Sequence, residues 1–600
     1  MELEYYDTNI PCLAACPVHT NAGMYVAAIA DGDDELAYLT ARLPNPFASV
    51  CGRVCAAPCE DACRRGEIDR PIAIRALKRF VTEQFGPERG NGRVWNKVAA
   101  PPRSDKQERV GIVGGGPAGM ACAHDLRRHG YQVTVYEATD KLGGAMWLGI
   151  PEYRLDRDVL GADIQAILDL GVEVHYDTRL GVDVTLDELM ERHDALFLGI
   201  GATLGRGLDI EGGDADGVFK AIEFLINMNR GFSVDVGERV VVIGGGDVAM
   251  DAARTALRAS EYGSEVTSEA TVASDDDIDA DQRSAMTEAI DVARTAARAG
   301  ARQVTVISLE SRAEMPAHDF EVEEAEHEGI AFVPRRGPAR ILVEDGRVAG
   351  IETIGVNSVF DADGRFAPDF DETDRQVFDA DTVILAIGQA IDLDALGASG
   401  PEVSPRRTIQ IDNDTGRTTM LGVWSGGDAA KGPRTLIDAI ADGRRSAADI
   451  HRAFGGDVDD LEQEQPATFV KLSQFHRLDD DYDQIARVSV PTLDTGRRIG
   501  LAEVELGFTE QQARCEAARC LRCFANIILD VDKCVLCALC ADVCPVDVIS
   551  LVPSDEVDGG EAGSTALLLD EERCIRCALC IERCPPDALS MGMWKGVGVP

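Results

Sequence analysis

The chain has 600 residues, room for roughly three to five domains with ample core. Its 104 acidic against 59 basic residues leave a formal charge of -45, which argues against nucleic acid and anionic membranes as partners and fits a solvated acidic surface. Eighteen cysteines, with no basic-flanked apolar leader and no apolar run long enough to span a bilayer, fit metal ligation in a reducing, cytoplasmic compartment.

Six cysteines precede residue 65: Cys12 and Cys16, then Cys51, Cys55, Cys59 and Cys63. The second group would line one helix face if Pro58 did not break the helix, so a turn-rich cradle for metal and sulfur is expected. From Arg109 the pattern becomes strand, glycine turn, helix, strand, acid. Gly114 permits the tight turn, Gly116 lets backbone approach a pyrophosphate, Gly119 lets helix pack on strand, and Glu137 is placed for ribose hydroxyls. The pyrophosphate would sit on the helix N-terminus. A second copy begins at Arg239 with Gly244, Gly246 and Ala249 in the glycine positions. Two such units, the second inside the first, describe a flavoprotein holding FAD on one and a nicotinamide nucleotide on the other.

Between the second glycine motif and its next strand, Asp251–Ala259 is nearly repeated as Asp291–Ala299, and the acidic stretch between them contains Asp275, Asp276 and Asp277. This material should leave the fold as a surface excursion with its own helix near Asp281 to Arg298. The first unit is expected to resume at Ala380–Gly388 and to end at Gly427 and Asp428, with the Asp428 carboxylate on the ribityl chain or serving as a helix N-cap.

The last eight cysteines form two runs, Cys534, Cys537, Cys540, Cys544 with Pro545 and Cys574, Cys577, Cys580, Cys584 with Pro585. Each has the C-x2-C-x2-C-x3-C-P spacing of a bacterial ferredoxin, in which the fourth cysteine of a run crosses to the other cluster. Cys584 should therefore complete the Cys534/Cys537/Cys540 site, and Cys544 the Cys574/Cys577/Cys580 site. Structural zinc fits poorly, because zinc sites use two separated cysteine pairs.

Gly143-Gly144, Leu148–Leu155, Glu314–Ala317, Ala386–Gln389, Gly426–Asp428, Gly432-Pro433 and Ala439–Arg444 together resemble the glutamate synthase small-subunit family over roughly residues 10 to 455. That family also includes the large subunit of NADH-dependent ferredoxin:NADP oxidoreductase and the electron-input half of dihydropyrimidine dehydrogenase. The resemblance implies a helical N-terminal domain with two iron-sulfur clusters, followed by FAD, with Gly144 among its contacts, and NAD(P)H. Matched residue by residue, it gives the first cluster Cys12, Cys63, Cys520 and Cys523, the last two from a segment just before the ferredoxin. The second takes Cys16, Cys55 and Cys59, with Cys51 as substitute for the position where relatives offer Gln or Glu and this chain has Lys78. Cys122 and Cys515 are left over as structural. Where NADPH-using relatives place two arginines, this chain has Leu309 and Glu310, a carboxylate that holds ribose hydroxyls and repels a 2′-phosphate, with Arg312 nearby. NADH is expected over NADPH.

The expected architecture is α/β. It comprises a helical iron-sulfur domain over 1–104, FAD-binding parts over 105–235 and 380–454, and a nucleotide domain over 236–379 with an acidic insertion at 260–299. A linker over 455–524 returns cysteines to the N-terminal domain, and an α+β ferredoxin domain spans 525–600. Four 4Fe-4S clusters, FAD and NADH or NADPH are the expected cofactors. The expected function is an oxidoreductase moving electrons between NAD(P)H and a protein partner as the input subunit of a hetero-oligomeric redox complex, with no catalytic acid or base needed. Alternatives are a glutamate synthase small subunit, an electron module for dissimilatory sulfite reductase or for a bifurcating hydrogenase or formate dehydrogenase, and a non-catalytic relay. No flavin barrel domain follows, which argues against pyrimidine reduction.

Overall fold

The computed structural model describes residues 8–90, 106–259, 264–266, 301–456, 468–473, 482–498, 500–557 and 563–595. The acidic excursion and its helix near Asp281 to Arg298 lie outside these residues, apart from the short strand Ser264–Val266.

Helices Ala22–Asp31, Asp34–Arg42, Ala48–Val54 and Ile74–Phe85 make the N-terminal unit. Asn21 caps the first of them, its side chain accepting from Met24 N–H, and Asp33 does the same for the second from Leu36 N–H. Ala48–Val54 stops before Pro58, and Ala57 at φ 55° turns the chain so that Cys55 and Cys59 sit on either side of a bend.

Two five-stranded parallel sheets follow. The first runs in the order Val423–Ser425, Ala195–Leu198, Arg109–Val113, Gln132–Tyr136, Glu173–His175. Its strands Arg109–Val113 and Ala195–Leu198 are apolar and almost wholly buried, as a sheet covered on both faces requires. Helices Pro117–Arg128 and Leu436–Ala453 cover it together. Gly119 is obligatory there, since a Cβ would stand 2.0 Å from the Gly114 carbonyl oxygen.

The second sheet runs Ala331–Val333, Gln303–Ile307, Arg239–Ile243, Thr382–Leu385, Val218–Lys220. This corrects two expected boundaries. Strand Thr382–Leu385, expected to resume the first unit, pairs with Arg239–Ile243, and Val218–Lys220 with helix Ala221–Asn229 also joins the second unit. The nucleotide domain thus begins near residue 217 and ends near 386. Strands of three or four residues read alike in either sheet, so the pattern could not assign them. The antiparallel pair Leu204–Gly205 with Gln389–Ala390 closes the double crossing between the two units.

The third correction concerns the linker. Strand Thr468–Lys471, placed in it, pairs with Leu589–Lys595 as the edge of a three-stranded ferredoxin sheet completed by Asn526–Leu529. Residues 482–498 and 500–524 then lie across the other domains. Val504 N–H donates to Tyr153 O at 3.0 Å, Arg79 pairs with Glu503 at 2.8 Å, and Arg498 pairs with Glu328 at 3.2 Å.

Candidate functional site: two dinucleotide turns and four thiol clusters

The two glycine turns are built alike. Gly114 takes φ 97° and donates to Tyr136 O at 2.8 Å; Gly244 takes φ 145° and donates to Ile307 O at 2.9 Å. In each, the acid ending the next strand folds back over the middle glycine. Glu137 Oε2 accepts from Gly115 N–H at 2.8 Å, and Glu310 Oε2 would lie 2.9 Å from a Cβ on Gly245. The second glycines present open backbone: a Cβ on Gly246 would meet nothing within 4 Å, and one on Gly116 only the Gly144 Cα at 3.8 Å. Such bare helix N-termini fit a pyrophosphate. Ala249 is buried inside helix Asp247–Leu257.

Gly427, at φ 64°, holds the N-cap position of helix Asp428–Lys431 and lies against Ala118 of the first glycine-turn helix. Asp428 is therefore the first helical residue, not the cap. Burial pushes its carboxyl up to about 6, and it accepts from Arg434 N–H at 3.1 Å.

The cysteines gather into four groups. Cys12, Cys63, Cys520 and Cys523 line one cavity with Gly23, Val26, Ile72 and Ile74. Burial, then the neighbouring Cys523, Cys520 and Cys63 thiolates, push the Cys12 thiol well up. Cys16, Cys51, Cys55 and Cys59 form a second group around the buried Lys78 ammonium, which burial would lower and these four thiolates together raise. Cys534, Cys537, Cys540 and Cys584 line another cavity with Leu529, Leu567 and Leu589. The fourth group is Cys574, Cys577, Cys580 and Cys544: burial, then Cys574, Cys577 and Cys544, raise Cys580 to about 12. Thiols that raise one another in this way need a cationic core before all four can ligate as thiolates. Among the described residues no three Cys, His, Asp or Glu side chains close on a single metal-ion position. Four thiols in each group are the donor set of a four-iron cubane.

The groups stand in order. Cys16, Cys51 and Cys55 share a core with Met146, Leu160 and Ile164 of the first dinucleotide domain. Cys59, Cys63, Cys12 and Cys520 pack in the next core, and Cys12 and Cys523 border the one that holds the ferredoxin cysteines. Cys122 is buried on helix Pro117–Arg128, outside every group, and Cys515 is exposed.

Three supporting residues were not singled out from sequence. Lys78 was noticed only as a non-ligand. Arg519 lies fully buried, pairing with Glu516 at 2.7 Å and Asp69 at 2.9 Å and donating to Arg70 O at 2.7 Å. Arg576 is buried, donates to Asn526 Oδ1 at 2.8 Å, and lies between the Cys574 and Cys523 thiols. A signal was available: between the first and second cysteines of each run, Leu536 stands against Arg576.

Fold and site together define an NAD(P)H-dependent, FAD-containing iron-sulfur oxidoreductase with cluster domains at both ends. Residues 108–443 match the pyridine nucleotide-disulphide oxidoreductase family, residues 6–89 the 4Fe-4S domain II of dihydropyrimidine dehydrogenase, and 533–588 the 4Fe-4S dicluster domain. The chain belongs to the pyridine nucleotide-disulphide oxidoreductase family. It is 35% identical over 541 residues to the NADP(+)-dependent formate dehydrogenase subunit beta of Moorella thermoacetica, covering 86% of this chain and 70% of that one. It is 33% identical over 561 residues to the NADPH-Fe(3+) oxidoreductase subunit beta of Geobacter sulfurreducens, covering 86% and 75%. The glutamate synthase [NADPH] small chain of Azospirillum brasilense is 29% identical over 461 residues, covering 73% and 85%. Among the described residues no helix is long and apolar enough to cross a membrane.

Proposed function

We propose that this chain is the electron-input subunit of a larger cytoplasmic redox complex, with FAD on the first glycine turn and NADH on the second. Gly114, Gly116 and Gly119 would receive the FAD pyrophosphate, Glu137 its ribose, and Gly144, Gly427 and Asp428 the flavin side. Gly244, Gly246 and Ala249 would receive the dinucleotide, with Glu310 on the adenosine ribose. The sixteen cysteines of the four groups would hold four 4Fe-4S clusters, whose thiolates the protein must keep dry and deprotonated. When bound, the flavin exchanges a hydride with the nicotinamide and releases electrons singly to centres that carry one at a time. The observation that carries this reading is the ordered series of thiol groups from the first dinucleotide domain outward.

Glu310 supports NADH over NADPH, in contrast to the NADP and NADPH in the names of the relatives above. Its carboxylate occupies the ground beside Gly245 that a 2′-phosphate would need. The basic residues nearby are engaged elsewhere: Arg312 with Asp319 and Glu326, Arg335 with Glu314 at 2.6 Å. Anaerobic addition of each nucleotide to the reconstituted chain tests this. NADH should bleach the flavin at rates at least tenfold above NADPH, with about sixteen irons per flavin; NADPH preference sinks the nucleotide assignment, and half that iron sinks the cluster count.

A further inference from the structure

The two halves of the ferredoxin domain are near-copies. Cys534 to Cys540 corresponds to Cys574 to Cys580, and the backbones agree in detail: Leu536 and Ala538 take φ 51° and 63°, Arg576 and Ala578 59° and 66°. What differs is the cover. The inner loop is covered by the N-terminal domain and the returning segment: Ile575 is 4% exposed, beside Arg64, Ile68 and Leu521, and Arg576 is 3% exposed, against Asn526. The outer loop has no such cover among the described residues, although Val535 and Leu536 also line the cysteine cavity. Val531, Val535 and Leu536 are 74%, 67% and 39% exposed, and Cys537 is exposed with them.

We propose that this outer loop is the docking face for a basic redox protein, which covers Val531, Val535 and Leu536 as the N-terminal domain and the returning segment cover Ile575. The proposal rests on the reading of Cys534, Cys537, Cys540 and Cys584 as a cluster site. Exposed apolar residues around one loop, rimmed by polar ones, mark interaction surfaces, and here the same loop is already an interface in its other copy. The rim selects the occupant. Asp532 and Asp587 are exposed, Asp530 is paired with Lys533 at 2.9 Å, and Lys471 is also near enough to act on Asp530, so three carboxylates face two ammoniums in a chain of charge -45. A second copy would bring the same carboxylates and be repelled. A partner with an apolar patch ringed by Lys and Arg, its one-electron centre just behind, meets both features.

Ferric cytochrome c, a small basic haem protein, serves as the probe. Calorimetric titration into the holoprotein at low salt should give binding that 0.5 M salt removes, and that Val531→Glu/Val535→Glu weakens at least tenfold. Val531→Glu alone, which does not line the cysteine cavity, should weaken it several-fold, and Asp532→Lys/Asp587→Lys at least tenfold. NADH-driven reduction, one NADH giving NAD+ and a proton per two ferric haems, should fall in parallel, while NADH-ferricyanide turnover and iron content stay unchanged in Val531→Glu and in Asp532→Lys/Asp587→Lys, whose residues do not line the cysteine cavity. Affinity unaltered in Val531→Glu/Val535→Glu overturns the proposal. So does a self-associated dimer in sedimentation that this variant dissolves. Failure of the underlying cluster reading is separable: it appears as missing iron in the wild-type chain.

Discussion

Replacement of Arg519 by Met should detach the returning segment without touching a cysteine. Its guanidinium is fully buried and joins three parts of the chain: Glu516 on its own helix, Asp69 and the Arg70 carbonyl in the N-terminal domain, and the Ile485 carbonyl of the crossing segment. Glu516, equally buried, accepts from Ala73 N–H at 2.8 Å and Val488 N–H at 2.7 Å. Removing one member of such a pair leaves the other charge uncompensated, at a cost of about 3–5 kcal/mol. At about 1.4 kcal/mol per tenfold, the undocked population rises by roughly two to three and a half orders of magnitude. Cys520 and Cys523 follow Arg519 directly, so the Cys12/Cys63 site should lose half its donors in that population. The readouts are iron per flavin, expected to fall by roughly one cluster's worth, about four irons, and protease cleavage between residues 482 and 519. Cys520→Ser/Cys523→Ser should match the iron loss without the cleavage. Glu516→Gln/Arg519→Met should recover part of both, since no lone charge remains. Full iron and unchanged cleavage in Arg519→Met would falsify the claim that this hub docks the segment.

Lys78→Met should lower the midpoint potential of one cluster, read as at least a tenfold fall in its reduced-to-oxidised ratio at fixed potential, because a buried cation beside Cys16, Cys51, Cys55 and Cys59 favours the more negative, reduced form; an EPR-monitored titration in which all signals stay in place refutes it. Glu310→Gln should raise the KM for NADH roughly 10- to 100-fold, the worth of a charge-assisted hydrogen bond of about 1.5–3 kcal/mol, and leave that for NADPH unchanged or lower; equal losses with both nucleotides would count against a ribose contact. Asp163 is wholly buried, its Oδ2 accepting from Val50 N–H at 3.1 Å, and burial pushes it up to about 7. For an acid raised on folding, the unfolded chain loses its proton first, so stability falls as pH rises from about 4 to about 7 and is level above. Asp163→Asn keeps the acceptor and should gain an advantage over that window, at most about 4 kcal/mol, read by hydrogen exchange at the Val50 amide; parallel pH profiles for the two proteins would rule the effect out.

What was readable in the sequence was local chemistry. The glycine turns carry their own steric logic, and the ferredoxin spacing is fixed by cluster geometry, so Gly119 and the paired cysteine runs announce themselves. Sheet membership did not. Thr382–Leu385 and Val218–Lys220 are short apolar strands whose partners are decided by packing across more than a hundred residues, as are those of Thr468–Lys471. The buried cations were also hidden, for a different reason. Lys78, Arg519 and Arg576 are ordinary surface residue types, and only the convergence of distant acids and thiols makes them interior.

That convergence bears on how the protein assembles. The cavity that joins Cys12 and Cys63 to Cys520 and Cys523 unites residues more than 450 positions apart. Loop-closure entropy grows only logarithmically with length, so the long separation is a small thermodynamic burden, and the Arg519–Glu516–Asp69 hub can supply enough to hold the ends together. The kinetic consequence is larger. During synthesis the N-terminal unit emerges with its Cys16, Cys51, Cys55 and Cys59 group complete but with only half of the neighbouring one. On the proposed ligand sets, that second cluster is filled only after the segment carrying Cys520 has been made and docked. The same docking seats Arg576 beside Cys523, so completing the N-terminal site and positioning the ferredoxin domain are one event.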